Sequence, residues 1–456
     1  MPPVPSPPGN VSRRTLLTGA TATAGLGLAG CGSLSSELGG GTPVKQWNLL
    51  AGGDGAVMTA MHEEFMAANP DINLEATTFA WGTPFYTRVV MGAAGGNAAD
   101  VATSHVSRVK SGGNAADVAT SHVSRVKSLS PGTILDHIEL SELEEFGIKG
   151  EDFPEAIWDK CFVDDKLYAV PLDTHALVNY YNRDICAQAN VLNPDGTLLE
   201  TDGVEEYFDL LRAVKDVTGE YGTSLDTLAG WRQFWAFYRQ QDGEMIFGDG
   251  DYEMDDGKAL AAIEVLYKMA EEGLCPTFAD GGQCAANFEN GVSGLVQVGN
   301  WEIARFRLFE GLDFSMTEMP ALYNGNRYTQ GDSHGFVFPH HNSWDPEVRK
   351  ATIAYVAYMV KNSFEWGAGG GHTPTYLPVT EGEDYQNLQP NAEYANVVHN
   401  VQFDPDAWFS GSAARLLDDS NAVLNQVYSQ AMTPDVALAT MKSRIEDLLA
   451  LPNPVE

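Results

Sequence analysis

The sequence is poor in the patterns that carry metal, redox and nucleotide chemistry. It has five cysteines in 456 residues, with no Cys-x-x-Cys pair, no His-Glu-x-x-His motif and no glycine-rich phosphate loop. Positive charge is also scarce, since 27 Lys and Arg stand against 62 Asp and Glu, a net charge of −35. We therefore expect no metal site, no cofactor and no nucleic-acid partner.

Residues 1–30 have the pattern of an export signal. The pair Arg13-Arg14 precedes a short apolar run that ends at Leu28-Ala29-Gly30-Cys31. This pattern is typical of a twin-arginine signal followed by a lipobox, and the run is shorter than the ~20 apolar residues of a spanning helix. We predict a mature chain that begins with a lipidated Cys31, has a flexible tether over 31–43, and lies at the extracellular face of the cell membrane.

The cysteines that follow Cys31 leave their oxidation state open. An even number in an oxidising compartment allows two disulfides in three connectivities. Cys275 and Cys284 flank a Gly-Gly turn and are the first pair to consider. The alternative is that all four are buried free thiols. The four residues are Cys161, Cys186, Cys275 and Cys284.

Strand and helix patterns alternate along the chain, which predicts an α/β fold with more than one core. Strands are predicted at 46–50, 72–78, 166–171 and 292–298, and helices at 204–217, 258–271 and from Thr433 onward. Residues 95–111 recur unchanged at 112–128. Because the sheet needs only one copy of the short strand in this repeat, we expect the surplus copy to form a surface insertion.

Aromatic, acidic, amide and histidine side chains cluster at several predicted strand ends. Aromatic faces stack on the C–H faces of sugar rings, while carboxylates, amides and imidazoles bind the hydroxyls. Each cluster alone is more typical of core packing or turns, but together they predict a cleft built from both halves of the chain. The candidate ligand-binding residues are Asp54, His122, Ser124, Arg125, Asp173, His175, Trp231, Asn300, Trp301, Asp332, Ser333, His334, His372 and Trp408.

The order of these clusters resembles the carbohydrate-specific extracellular solute-binding proteins of ABC importers, the group that includes maltose-binding protein. The best local matches are Lys-Leu-Tyr-Ala-Val-Pro at 166–171, Tyr-Tyr-Asn-Arg-Asp at 180–184, and Gly-Asn-Trp-Glu at 299–302. The resemblance extends from Trp47 to about Leu449. It implies an α/β, two-lobed periplasmic-binding-protein-like fold with a hinged ligand cleft.

The resemblance also implies lobe boundaries and residue roles. The first lobe would comprise 44–171 plus 322–371, and the second 172–321 plus 372–456. Polar contacts would come from Ser124 and Arg125 and, after the hinge, from Asp173 and His175; the stacking rings would be Trp231, Trp301 and Trp408. The duplication leaves open whether Ser107 and Arg108 replace Ser124 and Arg125. We favour the second copy because it runs directly into 129–137.

These observations predict a monomeric, non-catalytic protein that captures a neutral mono- to trisaccharide and delivers it to ABC permease subunits. Without residues 1–30 the chain has 25 basic and 62 acidic residues, a net charge of −37 that repels anions. A subunit that feeds a sensor is one alternative. Another is a secreted α/β hydrolase, because 331–335 match Gly-x-Ser-x-Gly around Ser333. A strand is predicted after Ser333 where a nucleophile elbow needs a helix, which disfavours the hydrolase.

Overall fold

The computed structural model describes residues 41–48, 50, 52–79, 88, 92, 95–103, 135–248, 250–411 and 414–451. The predicted signal peptide, most of the tether and Cys31 lie outside the described residues, as do His122, Ser124 and Arg125. No helix in the described ranges is long and apolar enough to cross a membrane.

Within these ranges, the strands form two mixed sheets and two small hairpins. The first sheet contains β1 Thr42–Asn48, β2 Ile72–Thr78, β3 Val101–Thr103, β4 Leu135–Asp136, β7 Ala169–Pro171 and β15 Gly335–Pro339. The second contains β8 Asp173–Asn182, β9 Tyr221–Leu225, β12 Ser293–Gly299, β13 Phe314–Thr317, β14 Thr329–Asp332, β16 Thr373–Pro374 and β17 Val401–Gln402. The hairpins pair β5 Phe162–Val163 with β6 Lys166–Leu167, and β10 Met245–Phe247 with β11 Tyr252–Met254.

Helices cover these sheets. They are α1 Gly52–Ala68, α2 Leu140–Glu144, α3 Glu155–Trp158, α4 Arg183–Gln188, α5 Val204–Thr218, α6 Trp231–Gln240, α7 Asp256–Glu271, α8 Gly281–Glu289, α9 Ile303–Leu308, α10 Pro346–Lys361, α11 Ser363–Gly370, α12 Leu377–Thr380, α13 Glu383–Gln386, α14 Val397–Asn400, α15 Arg415–Tyr428 and α16 Pro434–Leu449.

Each sheet has its own topology. In the first, β1 lies between β2 and β3 and is parallel to both, while β15 is antiparallel to β3 and β7. In the second, the long central strand β8 pairs with β14 and β16 through its first half and with β12 and β13 through its second half. Nine of the ten residues of β8 are buried, as expected for a strand covered on both faces.

Each sheet also has its own apolar core. The first core extends from Val44 to Leu172 and continues from Phe336 to Tyr376. The second sheet is packed by residues that run from Ala176 to Leu322 and from Tyr394 to Leu448. The predicted lobe boundaries are close to these limits and remain predictions. One strand in the range predicted for the first lobe, β14, pairs with β8 of the second sheet.

Three short connections join the two sheets and their layers. Leu172 alone separates β7 from β8, and residues 333–334 separate β14 from β15. Residues 371–372 link α11, whose Trp366 lies in the first core, to β16 of the second sheet. Side chains on these three connections therefore lie where the two sheets meet.

The first copy of the duplicated segment supplies a strand of the first sheet. Val101–Thr103 pairs with β1 on one side and β15 on the other. The corresponding residues of the second copy, 118–120, lie outside the described residues. Which copy lines the cleft therefore remains a prediction.

Deleting residues 95–111 is expected to leave the fold intact. Because the two copies are identical, this deletion yields the same chain as deleting 112–128, so a complete copy still follows residue 94. The shorter loop should change the free energy of unfolding by no more than about 1 kcal/mol. Urea unfolding followed by circular dichroism measures this change, and a deletion variant that does not fold would show that both copies belong to the core.

The first disulfide considered from sequence is wrong. The cysteines at 161, 186, 275 and 284 are all free thiols, and each is buried in one of the apolar cores. Burial raises the pKa of the Cys186 and Cys275 thiols to about 12. The structure therefore favours the alternative of four unreactive thiols.

Candidate functional site

Four titratable side chains meet at the three connections between the sheets. Asp173 and His175 begin β8, His334 lies between β14 and β15, and His372 precedes β16. We call these four residues the hinge cluster. All four are buried, and each offers one polar atom within 4.8 Å of those of the others. Strand β8 begins at the first connection and pairs with β14 and β16, which adjoin the other two. Residues that are far apart in sequence are therefore neighbours here.

Asp173 is the anion at the centre of the hinge cluster. Its carboxylate accepts hydrogen bonds from Trp366 Nε1 at 2.6 Å and from the backbone N–H of His334 at 3.1 Å. His334 Nδ1 lies 2.8 Å from the same carboxylate, and His175 Nδ1 lies 3.4 Å from it. Burial alone would raise the pKa of Asp173, but the charges of His334 and His372 and the hydrogen bonds from the His175 and His334 side chains hold that pKa well below its ordinary value. Asp173 is therefore a buried carboxylate that is fully supplied with donors.

His372 connects the hinge cluster to the first turn of α1. Its ring stacks on Trp366 with centroids 5.0 Å apart and planes 5° apart, and its Nε2 lies 3.5 Å from Asp54 Oδ2. Burial lowers the pKa of His372, but the carboxylates of Asp173 and Asp54 outweigh it and raise that pKa above the ordinary value. Asp54 is half-buried, so this is the side from which solvent reaches the cluster.

Trp301 borders the hinge cluster with a half-buried ring. Its centroid lies 6.0 Å from that of His175 and 6.4 Å from that of His372. The guanidinium of Arg232 lies 5.7 Å from the same ring. The indole folds back over Gly299, where a Cβ atom would overlap it. Glycine at position 299 is therefore required for this orientation of Trp301.

A cavity of about 200 Å³ opens beside Trp301 on the second sheet. Its polar lining includes Asp226, Arg232, Gln233, Gln297 and Glu302. Gln233 and Gln297 are 1% and 0% exposed, and their Oε1 atoms have no hydrogen-bond partner among the described residues. The cavity is therefore lined by an aromatic ring and by two residues whose buried acceptors lack donors.

Three larger cavities lie elsewhere among the described residues. One, of about 310 Å³, is bordered by Tyr181, Leu198 and Arg327. The second, of about 450 Å³, is bordered by Trp235, Arg239 and Phe403, and the third, of about 480 Å³, by Arg415, Arg444 and Asp447. None of the three is lined by a predicted ligand residue. The cavity beside Trp301 is smaller, but it adjoins both a predicted stacking ring and the hinge cluster.

Three predicted ligand residues make hydrogen bonds to the backbone. Asn300 is fully buried, and its amide accepts a hydrogen bond from Ala176 N–H and donates one to the Thr174 carbonyl. Asp332 accepts from the backbone N–H of Ser333, whose own hydroxyl donates to the His334 carbonyl. These hydrogen bonds help to position the connections, and the ligand-binding role of the three side chains remains a prediction.

The predicted stacking residues Trp231 and Trp408 have different surroundings from Trp301. Trp231 is 0% exposed, stacks on Trp235 at 5.4 Å and donates through Nε1 to Asp404. Trp231 thus lies in the second core and offers no face to a ligand. Its spacing to Phe234 and Trp235 is typical of residues on one buried face of a helix. Trp408 is half-buried and packs edge-on against Phe409.

Four residues of this region are not predicted from the sequence. Trp366 donates to Asp173 and stacks on His372, and its local signal is its position before the glycine-rich run that ends at His372. Arg232 and Gln233 directly follow Trp231, and Gln297 lies in β12, two residues before Gly299. Gln297 lies in an apolar strand, where a lone amide is an expected sign of a buried polar contact.

Solved structures of other proteins have the same fold. The cyclic alpha-maltosyl-1,6-maltose binding protein from Arthrobacter globiformis superposes with a TM-score of 0.69, at 18% identity, over 90% of this chain and 99% of that chain. UgpB from Mycobacterium tuberculosis, in complex with glycerophosphocholine, also gives 0.69, at 13% identity, over 90% and 99%. The predicted α/β, two-lobed periplasmic-binding-protein-like fold is thereby confirmed.

The chain belongs to the bacterial extracellular solute-binding protein family, which it matches over residues 51–362. A maltooligosaccharide ABC transporter solute-binding lipoprotein of Streptococcus pneumoniae is 24% identical over 227 residues, which are 46% of this chain and 49% of that relative. The chain spans about half the length of the curated relatives it matches. The resemblance found in the sequence is therefore confirmed at the level of the family.

Proposed function

We propose that this protein captures a neutral sugar of one to three rings outside the cell and presents it to the permease subunits of an ABC importer. The observation that carries the proposal is the cavity beside Trp301, with the buried and unpartnered oxygens of Gln233 and Gln297. The proposal makes the protein a monomeric carrier without catalytic activity.

The cavity suits a carbohydrate because two of the residues that line it have buried oxygen atoms without hydrogen-bond donors. A buried acceptor without a donor costs about 1–3 kcal/mol, so a ligand that donates to Gln233 and Gln297 once their side chains turn toward the cavity recovers that free energy on binding. Sugar hydroxyls are such donors, and the C–H face of a pyranose ring stacks on an indole. A volume of about 200 Å³ is on the scale of one ring, so further rings would extend toward the hinge cluster and Asp54.

The charges at the cavity disfavour an anionic ligand. Arg232 is the cation that lines it among the described residues. Burial lowers the pKa of Arg232, while the nearby carboxylates Asp226 and Asp404 oppose that shift. With its charge already balanced by these two carboxylates, Arg232 has little attraction left for a free carboxylate or phosphate. The mature chain's net charge of −37 acts in the same direction.

Relatives support the same class of ligand. One curated relative is named as a maltooligosaccharide-binding lipoprotein of an ABC transporter, and another as a maltodextrin-binding protein of Bacillus subtilis. By analogy we propose that malto-oligosaccharides are the first ligands to test. Glycerophosphocholine, the ligand of a structural neighbour, is the charged comparison.

Replacing Trp301 by alanine is expected to weaken sugar binding by about 5- to 150-fold. The loss of one stacking ring costs roughly 1–3 kcal/mol. Calorimetry should be run with glucose, maltose and maltotriose, and in parallel with amino acids, a tripeptide and glycerophosphocholine. The matched control is Trp158→Ala, because Trp158 stacks on Phe153 at 4.8 Å in the first core, away from the cavity.

The proposal fails if the protein binds an amino acid, a peptide or glycerophosphocholine more tightly than every sugar. It also fails if Trp301→Ala binds the best sugar as well as Trp158→Ala does. A Gln233→Leu variant adds a second readout, since removing the unpartnered amide should weaken binding of that sugar by several-fold while leaving the size of the side chain nearly unchanged.

We further propose that a lipid on Cys31 holds the protein at the cell surface after twin-arginine export. The support is the Arg13-Arg14 pair and the Leu-Ala-Gly-Cys motif, together with relatives that are named lipoproteins. Cys31→Ser should move the protein from the membrane fraction to the medium or buffer, as followed by immunoblot. Mass spectrometry of the native amino terminus that finds an unmodified thiol would contradict the proposal.

The alternative of a hydrolase at Ser333 has little support from the geometry. Strand β15 begins at Gly335, two residues after Ser333, where a nucleophile elbow requires a helix. Ser333 is 0% exposed and its hydroxyl donates to the carbonyl of His334. The alternative of a subunit that feeds a sensor uses the same proposed sugar site. It differs from the transport proposal only in the membrane protein that receives the loaded subunit.

A further inference from the structure

We propose that the hinge cluster is a site for one divalent transition-metal ion, best matched to Zn²⁺. The ligands would be the carboxylate of Asp173 and one ring nitrogen each of His175, His334 and His372. The inference does not depend on the identity of the sugar. It contradicts the expectation of no metal site. That expectation came from sequence motifs, which detect metal ligands only when these are close together along the chain.

The donor set and its spacing fit the ion. Three imidazole nitrogens and one carboxylate oxygen are ligands that Zn²⁺ accepts in a tetrahedral site, with bonds of about 2.0–2.2 Å. Ligand atoms in such a site are about 3.3 Å apart. The Nδ1 atoms of His334, His175 and His372 lie 2.8, 3.4 and 3.8 Å from the Asp173 carboxylate, and all four ligand atoms lie within 4.8 Å of one another. The longer of these separations exceed the spacing in a tetrahedral site, so small side-chain shifts would close it.

His372 gives an independent observation. Its ring is 2% exposed, and its Nδ1 has no hydrogen-bond partner among the described residues, although it faces Asp173 Oδ2 at 3.8 Å. A buried ring nitrogen in this position is costly unless it gains a partner. A metal ion between His372 and Asp173 would be that partner.

The residues that contact the hinge cluster resemble those that hydrogen-bond to the ligands of a metal site. A ligating histidine commonly donates its second ring N–H to a carboxylate, which fixes its tautomer and orientation. His372 Nε2 lies 3.5 Å from Asp54 Oδ2 and is placed for this bond. Trp366 Nε1 donates to Asp173 Oδ2 at 2.6 Å and orients the carboxylate. Asp54, half-buried in the first turn of α1, provides the side of entry.

The position of the ligands has a mechanical consequence. Asp173 and His175 follow the first connection between the sheets, His334 belongs to the second and His372 to the third. One ion would therefore join all three connections at a single point. Metal binding would favour the arrangement of the two sheets in which the four ligands converge.

The test is titration of the full, EDTA-treated protein with Co²⁺ and then Zn²⁺. Co²⁺ should give the intense visible bands of a tetrahedral complex at one ion per chain, and Zn²⁺ should displace it. His175→Gln and His372→Gln should each weaken binding by more than the about 10- to 100-fold expected for an outer-shell partner. The matched control is His137→Gln, because His137 pairs with Glu139 at the surface and is not part of the hinge cluster.

X-ray absorption of the zinc-loaded wild-type protein gives a second readout that does not require the variants to fold. A shell of three imidazoles and one oxygen supports the site. A shell of oxygen atoms alone overturns the proposal, because it would indicate surface carboxylates. The proposal is likewise overturned if no ion binds at millimolar concentration, or if folded hinge-cluster variants bind as the wild type does.

Discussion

Asp173→Asn is expected to lower the free energy of unfolding by about 3–5 kcal/mol in the presence of a metal chelator. The carboxylate is 0% exposed and receives N–H groups from the Trp366 ring and the His334 backbone. An asparagine would place an NH₂ group against one of these donors and leave the neighbouring histidines without their anion. Urea unfolding followed by circular dichroism measures the loss.

Asp54→Asn is the matched control for this prediction. It removes the same charge from the other side of His372, but its side chain is 29% exposed and contacts the ring at 3.5 Å. A partly exposed pair of this kind contributes about 1 kcal/mol or less. Equal losses in the two variants would show that Asp173 is not the centre of the buried network.

Gly371→Ala is expected to destabilise the protein by about 2–5 kcal/mol. Gly371 has φ = +78°, a conformation that costs an alanine roughly 1–2 kcal/mol. A Cβ atom at this position would also overlap the Asn300 carbonyl and the Ile303 side chain. Forcing an extra methyl group into packed surroundings adds about 1–3 kcal/mol. Thermal or urea unfolding of the variant measures the sum.

Gly219→Ala separates these two contributions. Gly219 ends helix α5 with φ = +76°, and no atom lies within 4 Å of a Cβ built there. The same conformation without the overlap should cost only about 1–2 kcal/mol. If Gly371→Ala costs no more than Gly219→Ala, the close packing of the third connection against Asn300 is not a constraint on the fold.

Much of the local structure could be predicted from the sequence because its signals are local. Strand β2 has the predicted bounds, 72–78, and helix α5 ends at Thr218, one residue beyond the predicted 204–217 and directly before Gly219. In the last helix, spacing predicts one apolar face formed by Leu438, Met441, Ile445 and Leu448; the last three are buried, and Leu438 is half-buried. Periodicity and capping residues act within a few turns of chain, so they need no tertiary information.

The site was predicted less completely, for a physical reason. Asp173, His175, His334 and His372 were each named from sequence, but their convergence into one buried cluster depends on three crossings between sheets. Trp231 was named as a stacking ring, yet the same aromatic spacing is satisfied by packing in the second core. An amphipathic pattern shows which face is apolar, and it does not show whether that face meets protein or ligand.

The sequence by itself determined the α/β layers, the family resemblance, the excess negative charge and the expectation of an exported lipoprotein, because these follow from composition, short motifs and local periodicity. Only the tertiary structure decided that the four cysteines are free thiols, that Trp301 rather than Trp231 borders a cavity, and that Gln233 and Gln297 lack donors. It also brought three histidines around Asp173. These properties depend on distances between residues that the chain separates widely, and the fold alone sets those distances.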